Sequence, residues 1–270
     1  MRRFDLAAMA RRAGTRRRVV TFRPIIPTKA MAADLAAINR RALAPWEEAR
    51  DRIVAAYGQE LARVLATDSV NDLVDLFEEI AGFVNHLVLD LTPEMGEWAL
   101  RVERWHRDKW RDTVLAGANV DIRYMIGPAE AQEQIATFIA RNAALVRDTT
   151  AQAQGRIADA VWRGLQRRAP LRQVGREIAE ALGLARKRAN RIAADQHVKL
   201  SAALDRQRQR EAGLDHWKWK HSGKLHPRLQ HVARDGKIYT DETAPEDEPG
   251  ELPFCGCVRQ AVLVLNGEII

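Results

Sequence analysis

His216-Trp217-Lys218-Trp219-Lys220-His221 alternates residue by residue between rings and lysines, a period of two that puts Trp217, Trp219 and His221 on one face of a strand. Gly213, just upstream, ends a long stretch whose apolar residues recur at three- and four-residue steps, the period of helices. The period therefore changes here, and the change predicts an α+β protein: a helical body over residues 28–212 and a small β-rich domain over 213–270. Downstream, Asp235-Gly236 is a turn signal ahead of Lys237-Ile238-Tyr239, which suggests a hairpin. An acidic, proline-rich loop from Asp241 to Pro253 reads as solvated. Val258 to Leu265 then reads as a last strand before Asn266-Gly267.

Upstream, Thr28 is placed to cap a helix with Met31, Leu35 and Ile38 on its apolar side, and Pro45 breaks the pattern before a second run through Ile53, Tyr57, Leu61 and Leu65. Ser69, with Asp72 three residues on, predicts the start of a helix with Leu73, Leu76, Phe77, Ile80, Val84 and Leu87 along one stripe. Thr92-Pro93 reads as a fresh cap followed by proline in the first turn, opening a helix that carries Trp98, Val102 and Trp105. After a break from Gly117 to Gly127, the longest pattern runs from Pro128 to Ala169-Pro170 through Ile135, Phe138, Asn142, Leu145, Thr149, Ala153, Ile157, Ala160 and Leu165. Its length predicts one uninterrupted helix and an elongated body. Gly183 then reads as the C-terminal cap of a short helix carrying Val174, Ile178 and Leu182, with a last helix from about Ala185 to Glu211.

The 270 residues carry a formal charge of +7, unevenly distributed. In the first thirty, Arg2, Arg3, Arg11, Arg12, Arg16, Arg17, Arg18, Arg23 and Lys29 face a single acid, Asp5, so the rest of the chain is close to neutral. Pro24 and Pro27 bracket two isoleucines and favour extended backbone. Residues 1–27 thus read as a basic extended arm suited to nucleic acid or an acidic protein surface; the plain alternative is a solvated tail. No apolar run approaches the roughly 20 residues that span a bilayer, and Leu6 to Ala10 is too short for the apolar segment of a secretory signal.

A core of some 55 residues is marginal without a staple. Residues 213–270 also gather the soft ligands of the chain: His221, His226, His231, Cys255 and Cys257. Two cysteines one residue apart support no disulfide framework, and in a reducing compartment they read as metal ligands or as free thiols. Zinc favours four tetrahedral Cys and His ligands, so His226, His231, Cys255 and Cys257 make a reasonable structural zinc site, with His221 as the alternative fourth ligand. The competing reading makes the thiols buried hydrophobes and the histidines ordinary core or surface residues.

The order of residues here resembles the C-terminal signature of the phage Mu F-like head-morphogenesis family. The resemblance is carried by Trp217, Trp219, Arg228, His231, Asp235-Gly236, Pro249-Gly250 and Cys255-Gly256-Cys257, with Ala194-Asp195-Gln196 in the preceding helix. It implies a minor head protein of a tailed bacteriophage, a structural virion component and not an enzyme. Such a protein is expected inside the head near the portal vertex, assembled in the host cytoplasm and acting in head morphogenesis, DNA packaging or ejection. The implied partners are the portal protein, major capsid or scaffold proteins, and packaged DNA contacted without sequence reading through Arg2, Arg3, Arg11, Arg12, Arg16, Arg17, Arg18 and Arg23.

Two rival readings have their own signals. A metal-dependent, nuclease-like enzyme would draw on Arg228, His231 and Asp235, but the chain shows no glycine-rich phosphate loop, no HExxH and no paired helical carboxylates. A dedicated DNA-binding protein would use Arg186, Lys187, Arg188 and Arg191 with Arg206, Arg208 and Arg210. Helix faces of this kind are more often solvated than groove-bound.

Overall fold

The computed structural model describes residues 3–63 and 71–265, and of Asn71 the backbone alone. Arg2, Leu65, the Ser69 cap and Asn266-Gly267 lie outside the described residues. Among those described are eight helices: α1 Leu6–Arg12, α2 Lys29–Arg41, α3 Ala44–Glu48, α4 Arg50–Arg63, α5 Asn71–Ala118, α6 Gln132–Arg167, α7 Leu171–Glu211 and α8 Leu229–Ala233. Four strands, β1 Val19–Thr21, β2 His216–Lys220, β3 Ile238–Tyr239 and β4 Val258–Val264, form one antiparallel sheet in the order β1-β4-β2-β3. The α+β expectation holds, and β2, β3 and β4 lie where the period of two and the turn signals put them.

Several helix signals behave as read. Thr28 Oγ1 accepts from the Met31 backbone N–H at 3.3 Å, Pro45 sits in the first turn of α3, and the long pattern after Pro128 is the single helix α6. Two expected breaks are absent. Pro93 lies inside α5 and Gly183 inside α7. Proline removes the hydrogen bond to the carbonyl four residues back, that of Leu89, a residue 57% exposed, so water can take its place. Meanwhile Val84, Val88, Leu91, Met95, Trp98 and Val102 form a buried stripe of alternating four- and three-residue steps that runs past Pro93 without interruption. In α7 the stripe from Val174 through Ile178, Leu182, Ala185 and Ala189 likewise passes Gly183. Tertiary burial outweighs the local cost of about 1 kcal/mol for a mid-helix glycine.

The chain divides into two compact units. One comprises Met1–Ala32, Gly96–Phe138 and Ala194–Ile270, the other Ala33–Met95 and Ile139–Ala193. In the second unit, Tyr57 Oη donates to the Ala169 carbonyl at 2.5 Å, Gly164 leaves room for the Tyr57 ring, and Asn39 and Asn142 exchange buried amide hydrogen bonds. The boundary expected at residue 213 is not a boundary between these units. The sheet shares its unit with the N-terminal segment and with stretches of α5, α6 and α7.

The N-terminal segment also departs from the expected extended arm. It contains α1, capped by Asp5 through the Ala8 backbone N–H, and β1, whose Val19, Val20 and Thr21 pair with Val264, Leu263 and Val262. Leu6, Ala10, Val20, Phe22 and Ile25 are buried against Trp110, Val114, Ala118, Ala261, Leu263 and Leu265. At Gly117 a Cβ would stand 2.9 Å from the Phe22 ring, so this packing requires glycine. The arginines dominate the composition of this segment, but its apolar residues, each contributing about 1.5–3 kcal/mol when fully buried, determine where it lies.

Candidate metal centre

Strand β2 buries Trp217 and Trp219 completely, opposite Ala261 and Arg259 of β4. Around these rings lie Cys255 and Cys257, each 3% exposed, in a cluster of four buried residues. The chain reverses after β2, and α8 returns His231 to the same place, 2% exposed and edge-on to Trp219 at 5.0 Å. Gly236, with φ +81°, donates its N–H to the Trp219 carbonyl and closes the turn that leads into β3. The second cysteine is reached through Gly256, where a Cβ would stand 2.8 Å from the Lys224 side chain and 3.1 Å from that of Ser222.

His231 Nδ1 stands 3.5 Å from Cys255 Sγ and 3.6 Å from Cys257 Sγ, and one ligand atom from each of the three residues lies within 4.8 Å of the others. On the far side of the ring, Nε2 is 3.0 Å from Asp247 Oδ2, and Arg234 holds the other carboxylate oxygen at 2.6 Å. With Nε2–H donating to the carboxylate, the Nδ1 lone pair faces the sulfurs. Burial alone would raise Asp247, but the hydrogen bonds from Arg234 and His231 hold it below the usual carboxylate range. The Cys257 thiol hydrogen-bonds Cys255 and, against the effect of burial and with the backbone N–H groups of Gly250 and Cys257, brings Cys255 down to about 5. The same bond pushes Cys257 up.

Of the four ligands expected, three meet. His226 is exposed, and neither it nor His221 belongs to the group; the ring Nδ1 of His221 instead accepts from the Gly223 backbone N–H at 3.1 Å. Among the signature residues, Arg228 donates to the Pro253 carbonyl at 2.9 Å, and Asp235 accepts the His221 N–H at 2.8 Å. Pro249 and Gly250 are buried, and Gly250 (φ +83°) lies where a Cβ would be 2.7 Å from Ala202. These residues shape the loops around the cluster, and the Gly250 backbone N–H reaches the Cys255 sulfur.

The acidic loop is paired, contrary to the expectation of a solvated one. Glu248 and Glu251 bind Arg206, Asp241 binds Arg210 and the buried Arg259, and Glu248 also reaches Arg259. Lys199 in α7 donates to the carbonyls of Gly250, Glu251 and Leu252, while Asp195 accepts from the Phe254 backbone N–H at 2.6 Å. Asp195 and Lys199, one helical turn apart, clamp the segment that delivers the cysteines. Sequence reading missed Asp247, Arg234 and Lys199 as site residues. Asp247 is indistinguishable by composition from its acidic neighbours, and the i, i+4 spacing of Asp195 and Lys199 is a signal that could have pointed to the clamp.

Of the arm arginines, Arg3 pairs with Glu130 and Arg11 donates to the Leu265 carbonyl, whereas Arg12, Arg16, Arg17, Arg18 and Arg23 are exposed and pair with no described acid. The helical arginines proposed for DNA are mostly engaged: Arg186 with Glu47, Arg188 with Asp148, and Arg208, buried, with Glu103.

No solved structure matches the chain. An uncharacterized protein of Haemophilus influenzae is 30% identical over 149 residues, which make up 54% of this chain and 33% of that protein, so the chain spans about a third of the length of this curated relative. Residues 155–260 match the family described as Phage Mu protein F like protein, a span that holds most of α7, the Asp195–Lys199 clamp, His231, Asp247 and both cysteines. Over those residues the chain is similar to the phage Mu protein F-like family.

Proposed function

We propose that this protein is a structural component of a tailed-phage head that acts in head morphogenesis. The family match over residues 155–260, which coincides with the clamped Cys/His element, carries the reading. Within it, we place the protein inside the head near the portal vertex. The portal protein is the main partner, capsid or scaffold proteins are further ones, and the role extends to DNA packaging or ejection. Among the described residues no helix is long and apolar enough to cross a membrane. The expected test is direct: the protein co-purifies with portal rings and with assembled heads of the phage that encodes it, and disrupting its gene leaves heads misassembled. Normal, infectious particles lacking the protein would overturn the reading.

Binding to packaged DNA is a second element, supported by the five exposed arginines, Arg12, Arg16, Arg17, Arg18 and Arg23. Removing residues 1–27 is the wrong experiment, because it also removes β1 and the buried Phe22. Replacing the five by glutamine keeps the fold and is expected to weaken DNA binding while lowering its salt slope by about 0.9 for each phosphate no longer neutralised. An unchanged slope would exclude DNA as a partner of these arginines.

A further inference from the structure

We propose that His231 Nδ1, Cys255 Sγ and Cys257 Sγ hold one zinc ion as a three-residue set, with an exchangeable fourth ligand and with Asp247 orienting the histidine. The inference concerns a site and does not depend on the role in the phage head.

Geometry carries it. A tetrahedral zinc with Zn–S bonds of about 2.3 Å and Zn–N bonds of about 2.0–2.1 Å has S···N edges of about 3.6 Å. The two edges in this protein are 3.5 and 3.6 Å. Hydrogen bonding alone explains one such approach but not two: a neutral imidazole whose Nε2 proton faces Asp247 has a single in-plane lone pair at Nδ1, and a single proton serves one sulfur at a time. A cation between the three atoms satisfies both approaches at once. All three residues are buried, and their facing atoms are electron-pair donors. The soft two-sulfur, one-nitrogen set selects zinc over the hard cations magnesium and calcium. The Asp247–His231 pair is the outer-shell carboxylate that metal-bound histidines ordinarily have, fixing tautomer and ring plane.

Among the described residues, no further His, Cys, Asp or Glu belongs to the group. That leaves the fourth position to a ligand from outside these residues, and so open to exchange. The closed site expected from ligand counting, with His226 or His221 as fourth ligand, is replaced by an open one.

The test uses the full chain purified without added metal. Elemental analysis is expected to find about one equivalent of zinc, bound reversibly and removable by a strong chelator at neutral pH. Cobalt(II) reconstitution is expected to give thiolate-to-metal charge-transfer bands and tetrahedral visible bands, and excess imidazole is expected to shift the latter by entering the fourth position. His226→Ala and His221→Ala retain full stoichiometry, while Cys257→Ser and His231→Ala lose it. Should those two variants misfold, the wild-type protein suffices: zinc protects both thiols from a disulfide reagent, and chelation exposes them. Substoichiometric zinc with another metal in its place, thiols equally reactive with and without chelator, or loss of metal in His226→Ala would overturn the three-residue zinc site. Cobalt bands indifferent to imidazole would overturn the exchangeable fourth position.

Discussion

Glu103, His106, Asp205 and Arg208 are buried between α5 and α7 in the same unit that buries His231, Cys255 and Cys257, yet the two clusters are assembled in opposite ways. In the helical cluster Arg208 donates to Glu103 Oε1 at 2.8 Å and to His106 Nδ1, while His106 Nε2 lies 3.1 Å from Asp205 Oδ1. Arg107 also reaches Glu103, at 3.6 Å, so two carboxylates and two guanidiniums balance in charge around a histidine. Burial pulls Arg208 down only to about 10, so it stays charged at neutral pH. The cysteine cluster is built from donors of electron pairs alone, on loops and a five-residue helix. Of the cations beside it, Arg234 is engaged by Asp247 and Lys224 by the Phe254 carbonyl. A self-neutralising cluster is read as architecture; a buried cluster with three lone pairs converging on one point is read as a place for a cation.

Breaking the helical cluster is expected to have the largest effect. Arg208→Ala leaves the buried Glu103 with only its longer contact to Arg107 and should lower unfolding stability by about 3 kcal/mol in urea titration, whereas Glu103→Leu with Arg208→Met together should restore much of it. A loss below about 1 kcal/mol would mean the cluster is hydrated and the contrast with the cysteine site does not hold.

Acid comes next. His197, packed edge-on to Trp98 and close to Trp105, is pushed down to about 4, first by burial and then by the neighbouring His106, itself lowered by burial. Both must stay neutral in the folded protein and take up protons on unfolding near the ordinary value of 6.5. Their contribution is thus fully present above about pH 6.5 and is lost as the pH falls toward 4, about 3 kcal/mol for His197 alone. Unfolding midpoints measured between about pH 7 and 4.5 check this, and a flat profile contradicts it.

The cysteine cluster responds to different reagents. Free zinc at about a hundred times its dissociation constant should stabilise the protein by about 2.7 kcal/mol, and chelation should abolish that increment. The increment should survive Arg208→Ala, since the two clusters share no residue. Asp247→Asn is expected to weaken zinc by about 10–100-fold without changing stoichiometry, and it sharpens the comparison further because the same substitution should leave the acid sensitivity of His197 untouched. Zinc affinity unaltered in Asp247→Asn would show that the carboxylate does not orient the ligand.

Much of the fold is determined by sequence alone. The switch from a helical period to a period of two places β2, the turn at Asp235-Gly236 places β3, and the valine-rich run places β4, because each signal is local and its side chains alternate between two faces whatever surrounds them. The same locality makes the two cysteines and His231 recognisable as soft ligands.

What needed the tertiary structure is every question of which groups meet. Pro93 and Gly183 read as helix ends because local chemistry weakens the helix there, and only the buried stripe running past them overrides that reading. The N-terminal segment reads as an arm because its nine cations face a single acid, whereas the burial of Leu6, Ala10, Val20, Phe22 and Ile25 appears only in the folded chain. The partners of Val19, Val20 and Thr21 in β4 lie more than two hundred residues away in sequence. Asp247 could not be told from Glu246 or Glu248, nor His231 from His226, until α8 set one imidazole between two sulfurs and a carboxylate. Residue type is inherited from the sequence, but coordination depends on distances of a few ångströms between segments that close only when the chain is folded.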